Sequence, residues 1–149
     1  MRTLIDIVAG LAILANAVIY GTDVFGAIVQ RPAIAAVDDR TLTQSLGHIH
    51  RVADRRLKLI TISGLIAAVA TAVVAAAGGA LAALAVIIFI AVYTQVAKPV
   101  NTALTAAALA HRVPDNAREL QARWDSVING RVALQTIALV ALCVALAAA

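Results

Sequence analysis

The sequence predicts an all-α fold: an integral membrane four-helix bundle with a cytoplasmic helical extension before the second span. Three observations predict it. Hydrophobic residues make up 62% of the 149 and aromatic ones only 3%, and the mean hydropathy of +0.94 lies far outside soluble-domain usage. Several apolar runs reach the roughly 20 residues a helix needs to cross a bilayer. The polar residues inside those runs recur at helical spacing, as on helices with one interior stripe. The length leaves room for a single unit of four helices and no separate soluble domain.

The first span covers about residues 4–29, the second 57–77, the third 80–101 and on towards His111, and the fourth 127–148. Met1-Arg2, the apolar run after it and Ala15-Asn16-Ala17 have the outline of a signal peptide. The run nevertheless carries Asp6 and Asn16 and continues unbroken, so it reads as a retained span. Gly78-Gly79 joins the second and third spans with no charge nearby, which predicts a tight helical hairpin. Residues 30–56 form a long polar connection, helical over about 41–56, and residues 112–126 a shorter polar link. Pro32 and Pro114 mark places where helices stop or start. Asp38-Asp39 and Asp115-Asn116 read as helix N-caps. Cys143 lies deep in the fourth span with no partner for a disulfide and no charged neighbour to activate it.

Charge predicts orientation. Arg31, Arg40, Arg51, Arg55, Arg56 and Lys58 belong to the first connection and Arg112, Arg118 and Arg123 to the third. Only Arg2 lies on the other face. By the positive-inside rule the polar connections are cytoplasmic, and both termini and the Gly-Gly hairpin are outside. The isoelectric point near 10.0 then reflects membrane topology, with anionic headgroups as neighbours. Nucleic acid is not an expected partner. The basic residues are interleaved with Asp38, Asp39, Asp115, Glu119 and Asp125, and no aromatic platform accompanies them.

Polar residues within spans are costly and belong in the bundle interior. Asn16, Tyr20 and Asp23 form one stripe at i, i+4, i+7. Thr94, Lys98, Asn101 and Thr105 repeat that spacing, with Pro99 expected to kink the helix and free a carbonyl near Thr94 or Gln95. Trp124, Ile128, Arg131 and Gln135 form a third stripe. All three fall in the cytoplasmic halves of their spans and are expected to face one another.

Gly47 to Arg56 holds two of the three histidines. If residues 41–57 are helical, Leu42, Leu46, Ile49, Ala53, Leu57 and Ile60 form the apolar face, and His50 and Asp54 flank it at i, i+4. His48 points about 200° away from His50 and joins them only if the helix breaks at Gly47. His48, His50, Asp54 and Asp23 are thus the candidate metal ligands. Imidazole with carboxylate suits zinc, iron, copper or manganese, and a His–Asp pair equally suits proton transfer. The plainer alternative pairs Asp23 and Asp54 with Lys98 and Arg131 in a buried ion network. Tyr20 and Trp124 are candidates to stack a substrate, although interfacial anchoring is the commoner use of such aromatics. His111 falls off the Lys98–Asn101 stripe and reads as a loop residue.

Certain of these residues carry a resemblance. Tyr20-Gly21 through Phe25, Arg31-Pro32, Lys98-Pro99-Val100-Asn101 with Leu104, and Arg123-Trp124 followed by Asn129 and Arg131 resemble the anthrone-oxygenase-like family of small four-helix membrane proteins. The resemblance covers most of the chain through short motifs. It implies oxidation of a lipophilic phenolic or quinone-like substrate. Asn101, beside Lys98, would bind a substrate oxygen, Arg131 would stabilise a developing oxyanion, and His50 or Asp23 would remove a proton. Oxygen would then react with the carbanion or in a metal-activated form. Two further classes remain: a small proton-coupled carrier titrating Asp23, although the first span lacks a glutamate, and a non-enzymatic subunit whose Ala/Gly-rich faces pack against a partner or another copy.

Overall fold

The computed structural model describes the backbone of residues 2–148, and their side chains except those of residues 2, 4, 5 and 72–78. Among the described residues the chain is helical, without strands. Helix α1 (Arg2–Phe25) passes through a wide π-type turn (Gly26–Gln30) into the short α2 (Arg31–Ala35). A link at residues 36–38 leads to α3 (Asp39–Val92), a second π-type turn (Tyr93–Ala97), α4 (Lys98–Leu109) and α5 (Ala117–Ala147).

The 54 residues of α3 would extend about 81 Å as one straight helix at ~1.5 Å per residue. Asp54 nevertheless bonds Tyr93 and Asn101, Gly47 bonds Thr105, and Leu65 packs on the cluster holding Ala85 and Val86. The stretches flanking residues 72–78 are therefore antiparallel: a first limb, 39–71, and a second, 79–92. Of the expected Gly78-Gly79 turn, Gly78 lies outside the described side chains. Segments Asp6–Ala35, Gly79–Leu109 and Ala117–Ala147 are long and apolar enough to cross a membrane. The expected second span, 57–77, runs into residues 72–78 and is described only in part.

Both π-type turns lie just before a proline. Pro99 has no N–H for the Gln95 carbonyl, and its ring crowds that carbonyl. The helix widens by one residue, so that the Lys98 N–H reaches the Tyr93 oxygen and, before Pro32, the Arg31 N–H reaches the Gly26 oxygen. Pro32 therefore does not end its helix, which continues to Ala35.

Two further expectations are corrected. Residues 117–126 are the first turns of α5 and no link: Ala117, Gln121 and Trp124 are buried in line with Ile128, Arg131 and Gln135. Their outward neighbours are charged, which lowers hydropathy without disturbing the helical stripe. Nor does the helix break at Gly47. This glycine is where the first limb lies against α4: a Cβ would stand 2.5 Å from the Leu104 carbonyl oxygen, and the Thr105 hydroxyl donates to the Gly47 oxygen at 3.0 Å.

Asp38 caps α3, accepting from the Thr41 N–H at 2.6 Å. That bond, with the side chain otherwise in solvent, holds its carboxyl below the ordinary 3.8. Asn116 occupies the corresponding position of α5 without a side-chain bond. Arg118 ties the 36–38 link to α5 through Asp39 at 2.6 Å, the Ile34 oxygen at 3.2 Å and the Val37 oxygen. His111 is exposed in a left-handed conformation, φ 53°, just after α4. Cys143 is exposed on the outer face of α5.

Candidate functional site

The three stripes meet through part of their residues: Asp23 from the first, Thr94, Lys98 and Asn101 from the second, Trp124 and Arg131 from the third. Where the charged residues begin, a cleft of about 1110 Å³ is walled by α1 and the first limb and floored by the second limb, α4 and α5. Asp23, His50, Asp54, Asn101, Trp124 and Arg131 all line it. The rest of the lining is mainly aliphatic and aromatic, including Val18, Phe25, Leu57, Ile62 and Phe89.

At its floor Arg131 Nη2 donates to Asp23 Oδ1 at 2.6 Å, both side chains being almost wholly buried. Three rings enclose the guanidinium, whose central carbon lies 5.2 Å from the centroid of Phe89, 5.6 Å from Trp124 and 5.8 Å from Tyr93. Such cation–π contacts strengthen as water is excluded. One turn of the first limb away, Asp54 Oδ1 accepts from the Tyr93 hydroxyl at 2.7 Å and from Asn101 Nδ2 at 3.1 Å. Tyr93, at the start of the wide turn 93–97, and Asn101, about two turns on, reach the same carboxylate. The His50 and Trp124 rings lie 6.0 Å apart, tilted by 39°.

These polar groups are not fully used. Asp23 Oδ2, His50 Nε2, Asn101 Oδ1, Trp124 Nε1 and Arg131 Nε are buried without a hydrogen-bond partner in the chain. Among the described residues only three other such atoms occur, on Thr43, Gln121 and Gln135, none of which lines the cleft. A buried unpaired polar group is expensive. Five of these eight atoms belong to residues that line one cleft.

Six of the nine residues singled out as candidate ligands or site groups thus come together at the floor: Asp23, His50, Asp54, Asn101, Trp124 and Arg131. Lys98 lies at the rim, exposed, and pairs with neither carboxylate. Tyr20 is half-buried and does not line the cleft, so no Tyr20–Trp124 stack exists. His48 is exposed on the opposite face of the unbroken first limb, beside Arg51, Arg55 and Arg56. The four-ligand metal set is thereby taken apart. Asp23 is held by Arg131 and Asp54 by Tyr93 and Asn101, and among the described residues no three His, Cys, Asp or Glu side chains converge as metal ligands do. The buried ion pair forms with one of its two anticipated cations. Phe89 escaped notice in the sequence, although it stands four residues before Tyr93 on the face that meets Arg131.

No family model, curated protein or solved structure matches the chain.

Proposed function

We propose that this chain is a membrane-embedded oxygenase for a lipophilic phenolic or quinone-like substrate, with both polar connections cytoplasmic and both termini outside. The observation that carries this reading is the set of five unpartnered polar atoms at the floor of an otherwise apolar cleft. A flat ring entering the cleft meets the aromatic cage of Phe89, Trp124 and Tyr93 that holds the Arg131 guanidinium. The ring's oxygen lies towards the Arg131 guanidinium, which supplies positive charge where an oxyanion develops, while the free Asn101 Oδ1 can accept from a phenol hydroxyl. Neutral His50, with Nε2 free, is placed to accept the proton whose loss makes the ring electron-rich.

For a ring methylene flanked by aryl groups, dioxygen is sufficient oxidant. The carbon loses both hydrogens and forms a double bond to one oxygen atom. The second oxygen leaves with the two hydrogens as water, so the four electrons lost by carbon reduce one O₂. The resemblance to anthrone-oxygenase-like proteins supports the same chemistry.

The test is oxygen uptake by the purified protein in lipid nanodiscs with an anthrone as substrate. One O₂ is expected per quinone formed, with the rate falling roughly a hundredfold or more in His50→Ala, the loss typical of a general base. No uptake by the native chain would end this reading. The free Asp23 Oδ2 in the cleft supports a second reading, a proton-coupled carrier. Its signature is proton-linked flux in liposomes that disappears in Asp23→Asn.

A further inference from the structure

The cleft is larger than its polar floor requires. Sites for compact ligands occupy about 300–1,000 Å³, and the buried unpartnered polar atoms belong to floor residues of a cleft of about 1110 Å³. The lining residues also divide by exposure. Asp23, His50, Phe89, Asn101, Trp124 and Arg131 on the floor are buried, whereas Val18 and Phe25 of α1 and Ile49 and Ile62 of the first limb are open at 43–56%. The cleft therefore opens sideways, between α1 and the first limb.

The opening has a definite upper edge. At Gly64 the first limb touches α1, and a Cβ there would lie 3.2 Å from Ala15 Cβ and 3.3 Å from Asn16 Nδ2. Below that contact Val18 and Phe25 of α1 and Ile49 and Ile62 of the first limb line the gap, with Thr22, Arg55, Lys58 and Thr61 among them. Gly21 lines the gap, and a Cβ there would meet nothing within 4 Å. In a bilayer the exposed Val, Ile and Phe of the slot carry no penalty where they meet hydrocarbon, and Arg55 and Lys58 of the same lining mark its headgroup end.

We infer that the ligand of this site is an amphiphile: an oxygen-bearing ring held at the floor by Arg131, Asn101 and His50, joined to a hydrocarbon tail that leaves between α1 and the first limb past Gly21. The inference rests on the reading of the floor as a phenol or quinone site and adds the tail and its path. The ligand enters from the membrane with its tail in lipid throughout, so the tail needs no closed pocket of its own.

Trp124 is the only tryptophan and lines the cleft, so its quenching reports occupancy directly. The experiment uses the full chain in phosphatidylcholine nanodiscs, titrated with a hydroxynaphthoquinone, bare or carrying a decyl chain, at matched mole fractions in the lipid. Variants Gly21→Phe and Thr22→Phe narrow the slot, and Gly10→Phe, on α1 outside the cleft with similarly open space, is the control. The expected result is that both probes quench the native chain and Gly10→Phe. In the slot variants the bare ring binds as before while the decyl probe weakens roughly tenfold or more, the size of a modest steric clash. The inference is overturned if the decyl probe is unaffected, if both probes weaken alike, or if neither binds the native chain. Binding with this pattern but without oxygen consumption removes the oxygenase and leaves the amphiphile site standing.

Discussion

The two ends of the bundle are built from residues of different size. At one end Ala12, Ala82, Ala85, Val86, Ala138, Ala141 and Leu142 form the shared core, and side chains this small let helix backbones approach closely. At the other, larger side chains, Leu42, Leu46, Val100, Leu104, Trp124 and Ile128, join Ala27, Ala97 and Ala117 in the core. Both proline-linked wide turns fall at this second end. The small-residue end packs apolar side chains alone, whereas the end with the wide turns, the wide end, encloses an ion pair and a cleft. The distribution of side-chain volume along four helices thus makes the place where chemistry can occur.

The largest expected effect tests what holds the wide end. Asp23→Ala leaves the Arg131 guanidinium buried without its counter-charge, and removal of one member of such a pair costs about 3–5 kcal/mol. The double variant Asp23→Leu, Arg131→Met removes both charges and should recover most of that loss. Thermal unfolding in detergent, followed by Trp124 fluorescence, measures both. A single variant as stable as the native chain would show that the pair is solvated and that the wide end is open to water.

A smaller effect contrasts the ends at matched chemistry. Ala12 is fully buried in the narrow core, so Ala12→Leu forces added methylenes into contact with Ala82 and Ala138 and costs about 1–3 kcal/mol. Ala17 lies on the same helix, exposed along the cleft. Ala17→Leu should change stability by less than about 0.5 kcal/mol. Equal penalties for the two would mean that α1 packs as tightly beside the cleft as beyond it.

Much of this contrast is legible in the chain itself. The stripe Trp124, Ile128, Arg131, Gln135 is buried as its spacing requires, and Asp54 meets the stripe that carries Asn101. Periodicity reports which residues share a face, so it also placed His48 opposite His50. It does not report what a face meets. Asp54 finds Tyr93 and Asn101 where one of Lys98 and Arg131 is the anticipated partner, and Tyr93 opens the wide turn before Pro99. Hydropathy failed at residues 117–126 for a related reason: charges on the outer face of a helix hide its buried side. Gly47 looked like a break because glycine weakens helices, but its missing side chain serves the contact with Leu104 and Ala108.

The smallest effect concerns the border of the wide end, where the 36–38 link turns the chain from α2 into α3. Asp38 accepts the Thr41 N–H and so fills one of the unpaired donors at the start of α3. Asp38→Ala should fray that first turn and raise amide exchange at residues 39–42, with the floor of the cleft unaffected. The same bond predicts a pH dependence. Because it favours the ionised carboxylate and lowers the folded-state pKa from 3.8, its stabilisation is complete at pH values above that unfolded value. It is lost as the pH falls through the lower folded-state value, when the protonated carboxyl is a poorer acceptor. Exchange at residues 39–42 should therefore follow base catalysis alone at neutral pH and show extra opening only in acid, an excess absent from Asp38→Ala because its first turn is already frayed. If the variant and the native chain exchange alike at neutral pH, Arg118 holds the link without the cap, through its bonds to Asp39, Ile34 and Val37.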